Sequence, residues 1–338
     1  MVKSTFTVTA KKTVEKILSI RNLKVYFYTY SGVVEAIEGI NLDIYSGETL
    51  GLVGETGCGK SVTASAILRL VDSPGKIVDG EIEFKGENLL EKTEQGIRKI
   101  RGSKIAIIFQ DPTTYLNPVY TIGKQIAEVI REHQKPGSKQ ATRRLTIEVL
   151  KLVRMPDPER VINQYPHELS TGMRQRAMIA MMLSCRPELL IADEATTALD
   201  VTVQAQILRL LKELKERLNL SVLFITHDFG VIATICDRVA VMYAGNLVEL
   251  GSKTDIFDNP LHPYTQGLLS VIPRLDQDVT SELKSLRGTL PNLVNPPTGC
   301  RFYDRCDYKN EKCKRMRSKR PEFKEVENGH YVSCYLYS

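Results

Sequence analysis

The chain has 338 residues, which predicts one large domain with an appendage or two domains. Its 42% hydrophobic and 25% charged residues are ordinary for a globular protein with a buried core. The net charge of +6, from 46 basic and 40 acidic residues, is mild and argues against a nucleic-acid partner, which would require a concentrated basic stripe.

Met1 to Lys16 contains no apolar stretch of signal-peptide length, and the longest apolar stretches elsewhere are only as long as strands. We therefore expect a soluble protein, which could serve a membrane process only by docking on membrane subunits.

The first third of the chain predicts strands and one helix. Alternating or apolar runs with β-branched residues are typical of strands, and Ala, Leu and Ile at helical spacing are typical of a helix. The predicted strands are Ile17–Phe27, Ala36–Ile44, Thr49–Val53 and Ile105–Phe109, with a hairpin over Gly80–Phe84 and Lys85–Leu90 and a helix over Ser61–Leu70.

Helical patterns dominate from 111 to 187 and predict a helical subdomain inserted between the strands of a sheet. The predicted helices are Ile122–His133, Gln140–Val153 and Gly172–Leu183. Further on, strands Leu189–Ala192 and Val222–Ile225 flank the helix Gln204–Leu218, and Val239–Tyr243 with Leu247–Leu250 form a hairpin. This alternation predicts an α/β core with a mostly parallel sheet. Repeated prolines after Gly251 predict a domain boundary near residue 265, which separates 17–264 from 265–338.

Gly54–Ser61 fits the pattern G-x-x-x-x-G-K-S, with a strand before it and a helix after it. Glycines let backbone N–H groups ring a phosphate chain, and the helix N terminus adds partial positive charge. Lys60 supplies a full charge beside the transferred phosphate, and Ser61 offers its hydroxyl to Mg²⁺. The sequence therefore predicts binding of a nucleoside triphosphate.

Two further segments carry chemistry. Leu189–Ala192 runs into Asp193 and Glu194, which places one carboxylate to hold Mg²⁺ and the next to orient or deprotonate the attacking water. Ser170 precedes a helix and, with the backbone N–H groups there, forms either a second anion site or only an N-cap.

These motifs occur in a fixed order: phosphate-binding loop, Phe109-Gln110, Leu169–Arg176, Asp193-Glu194, Ala198-Leu199-Asp200 and Thr226-His227-Asp228. In this order the chain resembles the ATP-binding subunits of ABC transporters over about residues 17 to 265. The resemblance implies a P-loop NTPase (RecA-like) core with an antiparallel β subdomain, the helical insertion, and a small Cys-rich C-terminal domain. It also implies ATP and Mg²⁺ as ligands and ATP hydrolysis as the activity.

The resemblance implies a role for each matching residue. Gln110 senses Mg²⁺ and the lytic water, His227 contacts the γ-phosphate, and Asp200 lies at a dimer seam. Phe27 resembles the aromatic that stacks on adenine, although Tyr28 and Tyr30 are rivals and a core aromatic is the alternative. The residues expected to contact nucleotide are Phe27, Gly54, Glu55, Thr56, Gly57, Cys58, Gly59, Lys60, Ser61, Val62, Gln110, Ser170, Gly172, Asp200 and His227, and those expected around Mg²⁺ are Ser61, Gln110 and Asp193.

The same resemblance implies a head-to-tail dimer of ATPase subunits, in which Ser170 and Gly172 serve the partner's nucleotide. One position departs from the family pattern: Thr171 replaces a signature glycine, and its Cβ could restrict the approach of the backbone to phosphate.

The C-terminal tail indicates which group of ABC transporters the chain resembles. Asn259–Leu269 and Pro296–Cys306 resemble the segments that follow the ATPase core in dipeptide and oligopeptide importers. This implies transmembrane permease subunits as partners, a second ATPase subunit that is identical or paralogous, an indirect link to a solute-binding protein, and a peripheral position on the cytoplasmic face of the membrane. Sugar and nickel importers share the branch, and a soluble, non-transport ABC ATPase is the rival class.

Seven cysteines are present, and four of them lie in the tail with the spacing C-x5-C-x6-C-x20-C. An odd number of cysteines without an export signal favours a metal site over disulfides. Zinc sites commonly use a tight cysteine pair, which is missing here, so the wide spacing and the importer-type tail favour a 4Fe–4S cluster over zinc, with free thiols as the remaining alternative. The predicted ligands are Cys300, Cys306, Cys313 and Cys334.

Overall fold

The N-terminal strands form a four-stranded antiparallel sheet in the order β2-β1-β4-β5. The computed structural model describes residues 15–197, 199–271 and 286–338, so residues 1–14 and Ala198 of the predicted dimer-seam motif lie outside the described residues. The strands of this sheet are β1 (Lys16–Thr29), β2 (Gly32–Tyr45), β4 (Gly75–Phe84) and β5 (Glu87–Asn88).

A second, eight-stranded sheet has the order β11-β12-β10-β9-β3-β8-β7-β6. The neighbouring strands β6, β7, β8, β3 and β9 are parallel to one another. Beyond β9 the sheet continues with β10, β12 and β11, each antiparallel to the strand before it. All residues of β3 and β8 are buried, as expected for central strands of a sheet covered on both faces. The strands are β3 (Thr49–Val53), β6 (Ile105–Ile108), β7 (Leu189–Asp193), β8 (Ser221–Thr226), β9 (Arg238–Tyr243), β10 (Asn246–Ser252), β11 (Lys324–Glu327) and β12 (His330–Val332).

The longer helices begin at side-chain caps. Thr121, Ser138 and Ser170 each accept a hydrogen bond from the backbone N–H three residues on, which satisfies a free donor of the first turn. The helices are α1 (Lys60–Ile67), α2 (Glu94–Arg98), α3 (Pro112–Tyr115), α4 (Ile122–Gln134), α5 (Lys139–Leu152), α6 (Pro158–Val161), α7 (Thr171–Leu183), α8 (Val201–Leu218), α9 (Phe229–Ile235), α10 (Lys253–Asp258), α11 (Pro263–Ser270) and α12 (Glu311–Arg315). Among the described helices, none is long and apolar enough to cross a bilayer.

The predicted α/β core, antiparallel sheet and helical insertion are confirmed. Helices α3 to α7 lie between β6 and β7 in the chain, and α4, α5 and α7 contact one another. The helices α2, α3, α6 and α9 to α12 and the strands β11 and β12 were not predicted. These helices span at most eight residues, about two turns, which limits their helical periodicity.

The tail is joined to the core by a buried carboxylate. In β10, Glu249 is fully buried and accepts hydrogen bonds from Leu261 N–H at 2.7 Å, His262 N–H at 2.9 Å and His330 Nε2 at 2.8 Å. β12 pairs with β10 beside it, with Glu249 opposite Val332. The tail therefore extends the core sheet, while a boundary near residue 265 stays a prediction.

Candidate active site

The phosphate-binding loop, Gly54–Ser61, connects the buried strand β3 to the start of α1. Gly54, Gly57 and Gly59 have φ of 153°, 85° and 108°, a region that residues with a Cβ avoid. A Cβ at Gly54 would lie 2.1 Å from the Met242 carbonyl oxygen. The loop conformation thus requires glycine where the sequence provides it.

Lys60 closes the loop into a ring. Its Nζ donates to the carbonyl oxygens of Gly54 at 2.8 Å and Glu55 at 3.1 Å, and the residue is only 4% exposed. Burial raises the pKa of the Cys58 thiol inside the ring, so it stays protonated at neutral pH. Of the other predicted contacts in the loop, Thr56, Gly57 and Ser61 are exposed, and Glu55 and Val62 are half-buried.

Ser61 and Asp193 meet where Mg²⁺ is predicted. The Ser61 hydroxyl donates to Asp193 Oδ1 at 3.0 Å, which brings the start of α1 to the end of β7. Burial raises the pKa of Asp193, and the negative charge of Glu194 adds to this, while the Ser61 hydrogen bond and the Lys60 charge oppose it. A hydroxyl and a carboxylate are the hard oxygen ligands that Mg²⁺ prefers, so these residues fit the ion.

Glu194 is the point on which the other predicted catalytic residues converge. Gln110 Nε2 donates to Glu194 Oε2 at 3.0 Å, and His227 Nδ1 lies 3.4 Å from Oε1. These residues follow three neighbouring parallel strands, β6, β7 and β8, whose carboxyl ends meet at one edge of the sheet. Glu194 has φ of 48°, a left-handed conformation that costs a non-glycine residue about 1–3 kcal/mol and is typical of functional sites.

Two residues that contact Glu194 or the segment after it were not assigned a role in the sequence analysis. Thr197 Oγ1 lies 3.4 Å from Glu194 Oε2, and Gln175, fully buried in α7, donates from Nε2 to the Ala195 carbonyl oxygen at 2.7 Å. Gln175 thereby fixes the segment directly after Glu194. A glutamine on a helix position that must face the core is the signal that could have identified it.

Ser170 is the N-cap residue of α7, and Asp200 is the N-cap residue of α8. Ser170 is exposed and its Oγ accepts from Met173 N–H at 3.3 Å, while Asp200 Oδ1 accepts from Thr202 N–H at 3.0 Å and Val203 N–H at 2.9 Å. Across the described ranges, no hydrogen bond joins either residue to the phosphate-binding loop. Both residues therefore cap helices within the chain, and neither serves the loop of its own chain by a hydrogen bond.

Thr171 causes no backbone strain. It is the first residue of α7 and is not among the residues with positive φ, so its Cβ is tolerated. Its hydroxyl accepts a hydrogen bond from Arg174 Nη2 at 3.1 Å. Gly172 has less room for a side chain than position 171, because a Cβ there would lie 3.0 Å from Val203 Cγ1.

The three candidates for adenine stacking differ in exposure. Phe27 is half-buried in β1 and packs on the core, with its Cε1 only 2.6 Å from where a Cβ at Gly75 would lie. Tyr28 is 48% exposed and Tyr30 is fully exposed. The assignment of Phe27 to adenine stays a prediction.

The four tail cysteines line one cavity, together with His262 and Phe302. Burial raises the pKa of Cys300 to about 12 and that of Cys334 to about 11, so both are protonated thiols at neutral pH. In the part of the chain that the structure describes, no group of three or more His, Cys, Asp or Glu side chains is arranged to hold a metal ion. The cluster therefore stays a prediction, although its ligands share a cavity.

The chain matches two protein families: ABC transporter over residues 37–197, and oligopeptide/dipeptide transporter, C-terminal region, over residues 248–313. It is 51% identical to a probable peptide ABC transporter ATP-binding protein of Sinorhizobium fredii, with 94% of each chain covered. It is 49% identical to the dipeptide transport ATP-binding protein DppD of Bacillus subtilis, with 95% of each chain covered. Its fold is similar to that of a dimeric ATP-binding cassette in a post-hydrolysis state with ADP and Pi, with a TM-score of 0.63, 27% identity, and coverage of 70% of this chain and 98% of that one.

Proposed function

Because the chain belongs to the ABC transporter ATP-binding subunits, in the branch with the oligopeptide/dipeptide C-terminal region, we propose that it powers the uptake of dipeptides or oligopeptides through membrane partners. The observation that carries the catalytic part is the convergence of Gln110 and His227 on Glu194, beside the Ser61–Asp193 pair. The names of the relatives support the peptide substrate.

Each residue has a defined task in hydrolysis. The loop and Lys60 bind the β- and γ-phosphates, and Ser61 and Asp193 hold Mg²⁺, which neutralises phosphate charge when bound. Glu194 accepts a proton from the attacking water, Gln110 orients its carboxylate, and His227 contacts the γ-phosphate.

The site is completed by a second subunit, either identical or paralogous. Ser170 and Gly172 lie at the start of α7, a helix of 13 residues whose first N–H groups and dipole favour an anion. Ser170 is exposed, and Asp200 is exposed at the start of α8, where a partner could reach both. In this arrangement Ser170 and Gly172 bind the partner's γ-phosphate and Asp200 lies at the seam.

Permease subunits dock beside Gln110, and this makes the chain peripheral on the cytoplasmic face of the membrane. Three large side chains are exposed in the segment that follows Gln110: Tyr115 is 49% exposed, Val119 70% and Tyr120 38%. Exposed apolar side chains grouped near a site are typical of protein docking surfaces. Since Gln110 hydrogen bonds to Glu194, a partner at this surface can influence hydrolysis.

The test is reconstitution of this chain in proteoliposomes with candidate permease subunits and a solute-binding protein from the same genome. We expect ATP hydrolysis to rise when the binding protein is loaded with a dipeptide or oligopeptide, and to stay low with an oligosaccharide or Ni²⁺. Stimulation by a sugar or nickel would reassign the substrate. Stimulation by DNA or ribosomes, with none from permeases, would favour the non-transport class.

We further propose that Cys300, Cys306, Cys313 and Cys334 hold a 4Fe–4S cluster, in preference to zinc. All four line one cavity, and burial raises the pKa of the Cys300, Cys306 and Cys334 thiols, so a bound cation would be needed to stabilise thiolates there. The described tail contains few helices and strands of its own, so a bound group would add cross-links between Cys300 and Cys334.

Anaerobic purification tests this proposal. We expect a broad absorption band in the visible region, about four iron atoms per chain, and no stoichiometric zinc. Cys313→Ser is expected to lose the band, whereas Cys185→Ser, in the helical insertion, is expected to keep it. One zinc per chain without iron would assign a zinc site, and protein with neither metal would leave four free thiols.

A further inference from the structure

Glu55 places a carboxylate in the phosphate-binding loop, where an unpaired negative charge would oppose the binding of ATP. The carboxylate is held by Arg305, which follows it by 250 residues. Arg305 Nη1 lies 2.6 Å from Glu55 Oε2, and Nη2 lies 2.9 Å from Oε1, which is the bidentate geometry of a strong ion pair. The Arg305 side chain is only 7% exposed, so solvent screens this pair weakly.

The surroundings of Arg305 fix its guanidinium. It lies over the rings of Tyr243, at 5.6 Å, and Phe302, at 5.9 Å. Its Nε donates to the Arg287 carbonyl oxygen at 2.8 Å. Contacts from β9 and from the tail therefore hold the guanidinium in place beside Glu55.

Tyr264 holds the backbone of the same residue. Its hydroxyl accepts a hydrogen bond from Glu55 N–H at 2.9 Å, and its ring is fully buried in α11. The Glu55 carbonyl oxygen accepts from Lys60 Nζ and, at 3.2 Å, from Cys58 N–H. Every polar group of Glu55 is therefore occupied, and two residues beyond β10, Tyr264 and Arg305, provide three of these hydrogen bonds.

We propose that Tyr264 and Arg305 are positioning residues of the ATP site: Tyr264 fixes the loop backbone, and Arg305 cancels the Glu55 charge that would otherwise repel the phosphates. The segment beyond the last core strand is thus required for ATP affinity. These contacts are made by protein groups alone.

The test is a set of charge variants in the full-length chain, measured by equilibrium ATP binding and by KM and kcat. We expect Arg305→Gln to raise the Kd and KM for ATP about tenfold with kcat within about twofold, since an unpaired carboxylate then faces the phosphates. Glu55→Gln/Arg305→Gln is expected to recover most of the lost affinity, because the repelling charge is gone. Arg317→Gln, which breaks an exposed ion pair with Asp304 on the same tail, is the matched control and is expected to change neither value.

Tyr264→Phe tests the second contact without disturbing the buried ring, and we expect a KM raised about threefold to tenfold. The double variant that binds ATP as weakly as Arg305→Gln alone would overturn the charge argument. Wild-type affinity in folded Arg305→Gln would do the same. Should Arg305→Gln not fold, Tyr264→Phe and Glu55→Gln carry the test. Wild-type ATP affinity in Tyr264→Phe together with weakened affinity in Glu55→Gln would overturn the proposal, whereas weakened affinity in Tyr264→Phe together with unchanged or tighter binding in Glu55→Gln would support it.

Discussion

Glu194→Gln is expected to bind ATP normally while hydrolysing it about 100- to 10,000-fold more slowly, the usual contribution of a positioned general base. The amide has the same shape as the carboxylate and can still bond to Gln110, so the nucleotide site stays assembled. It cannot accept the proton from water, so the reaction stops with ATP bound. Two chains with unhydrolysed ATP between them should then persist as a dimer.

The measurement combines ATP turnover, nucleotide binding and size-exclusion chromatography with ATP. Glu188→Gln is the matched control, because Glu188 directly precedes β7 as Glu194 directly follows it, and it binds Lys85 and Lys104 on the surface. We expect wild-type turnover and no trapped dimer from this control. Unchanged turnover in Glu194→Gln would refute the assignment of Glu194 as base.

Local sequence predicted the parts of the site that are continuous in the chain. The phosphate-binding loop lies between a strand and a helix as expected, because its glycines and Lys60 specify the turn by themselves. The grouping of Gln110, Glu194 and His227 was also predictable, since each follows a buried strand of a parallel sheet.

Contacts between the C-terminal tail and the core were not predictable. Nothing near Glu55 indicates that Arg305 will pair with it, and nothing near Glu249 indicates that His330 and β12 will lie beside it. Such pairings depend on how the tail packs across the finished sheet, which periodicity does not encode. The left-handed φ of Glu194 was also not predictable from local sequence, because the surrounding fold imposes it against the preference of the residue.

Ser170→Asp separates the two roles of the residue that begins α7. Aspartate caps helices as well as serine does, so the helix and the fold are expected to be retained. In the proposed dimer, however, its charge would lie where the partner's γ-phosphate approaches, and two like charges 4 Å apart repel by about 4 kcal/mol near a protein surface. We therefore expect ATP hydrolysis to fall by at least about 100-fold in Ser170→Asp. Ser170→Thr, which keeps the hydroxyl cap without charge, is expected to stay active.

Mixing two inactive variants shows which chain Ser170 serves. In a mixed dimer of one Ser170→Asp chain and one Lys60→Ala chain, one composite site carries both defects and the other carries neither. We expect the mixture to recover ATP hydrolysis that neither variant shows alone, and the specific activity of the wild type to rise with protein concentration as dimers form. An inactive mixture would mean that Ser170 acts on the loop of its own chain. Recovery would show that the exposed start of α7 serves the partner's nucleotide. Within the described chain, the Ser170 hydroxyl is exposed and only caps its own helix.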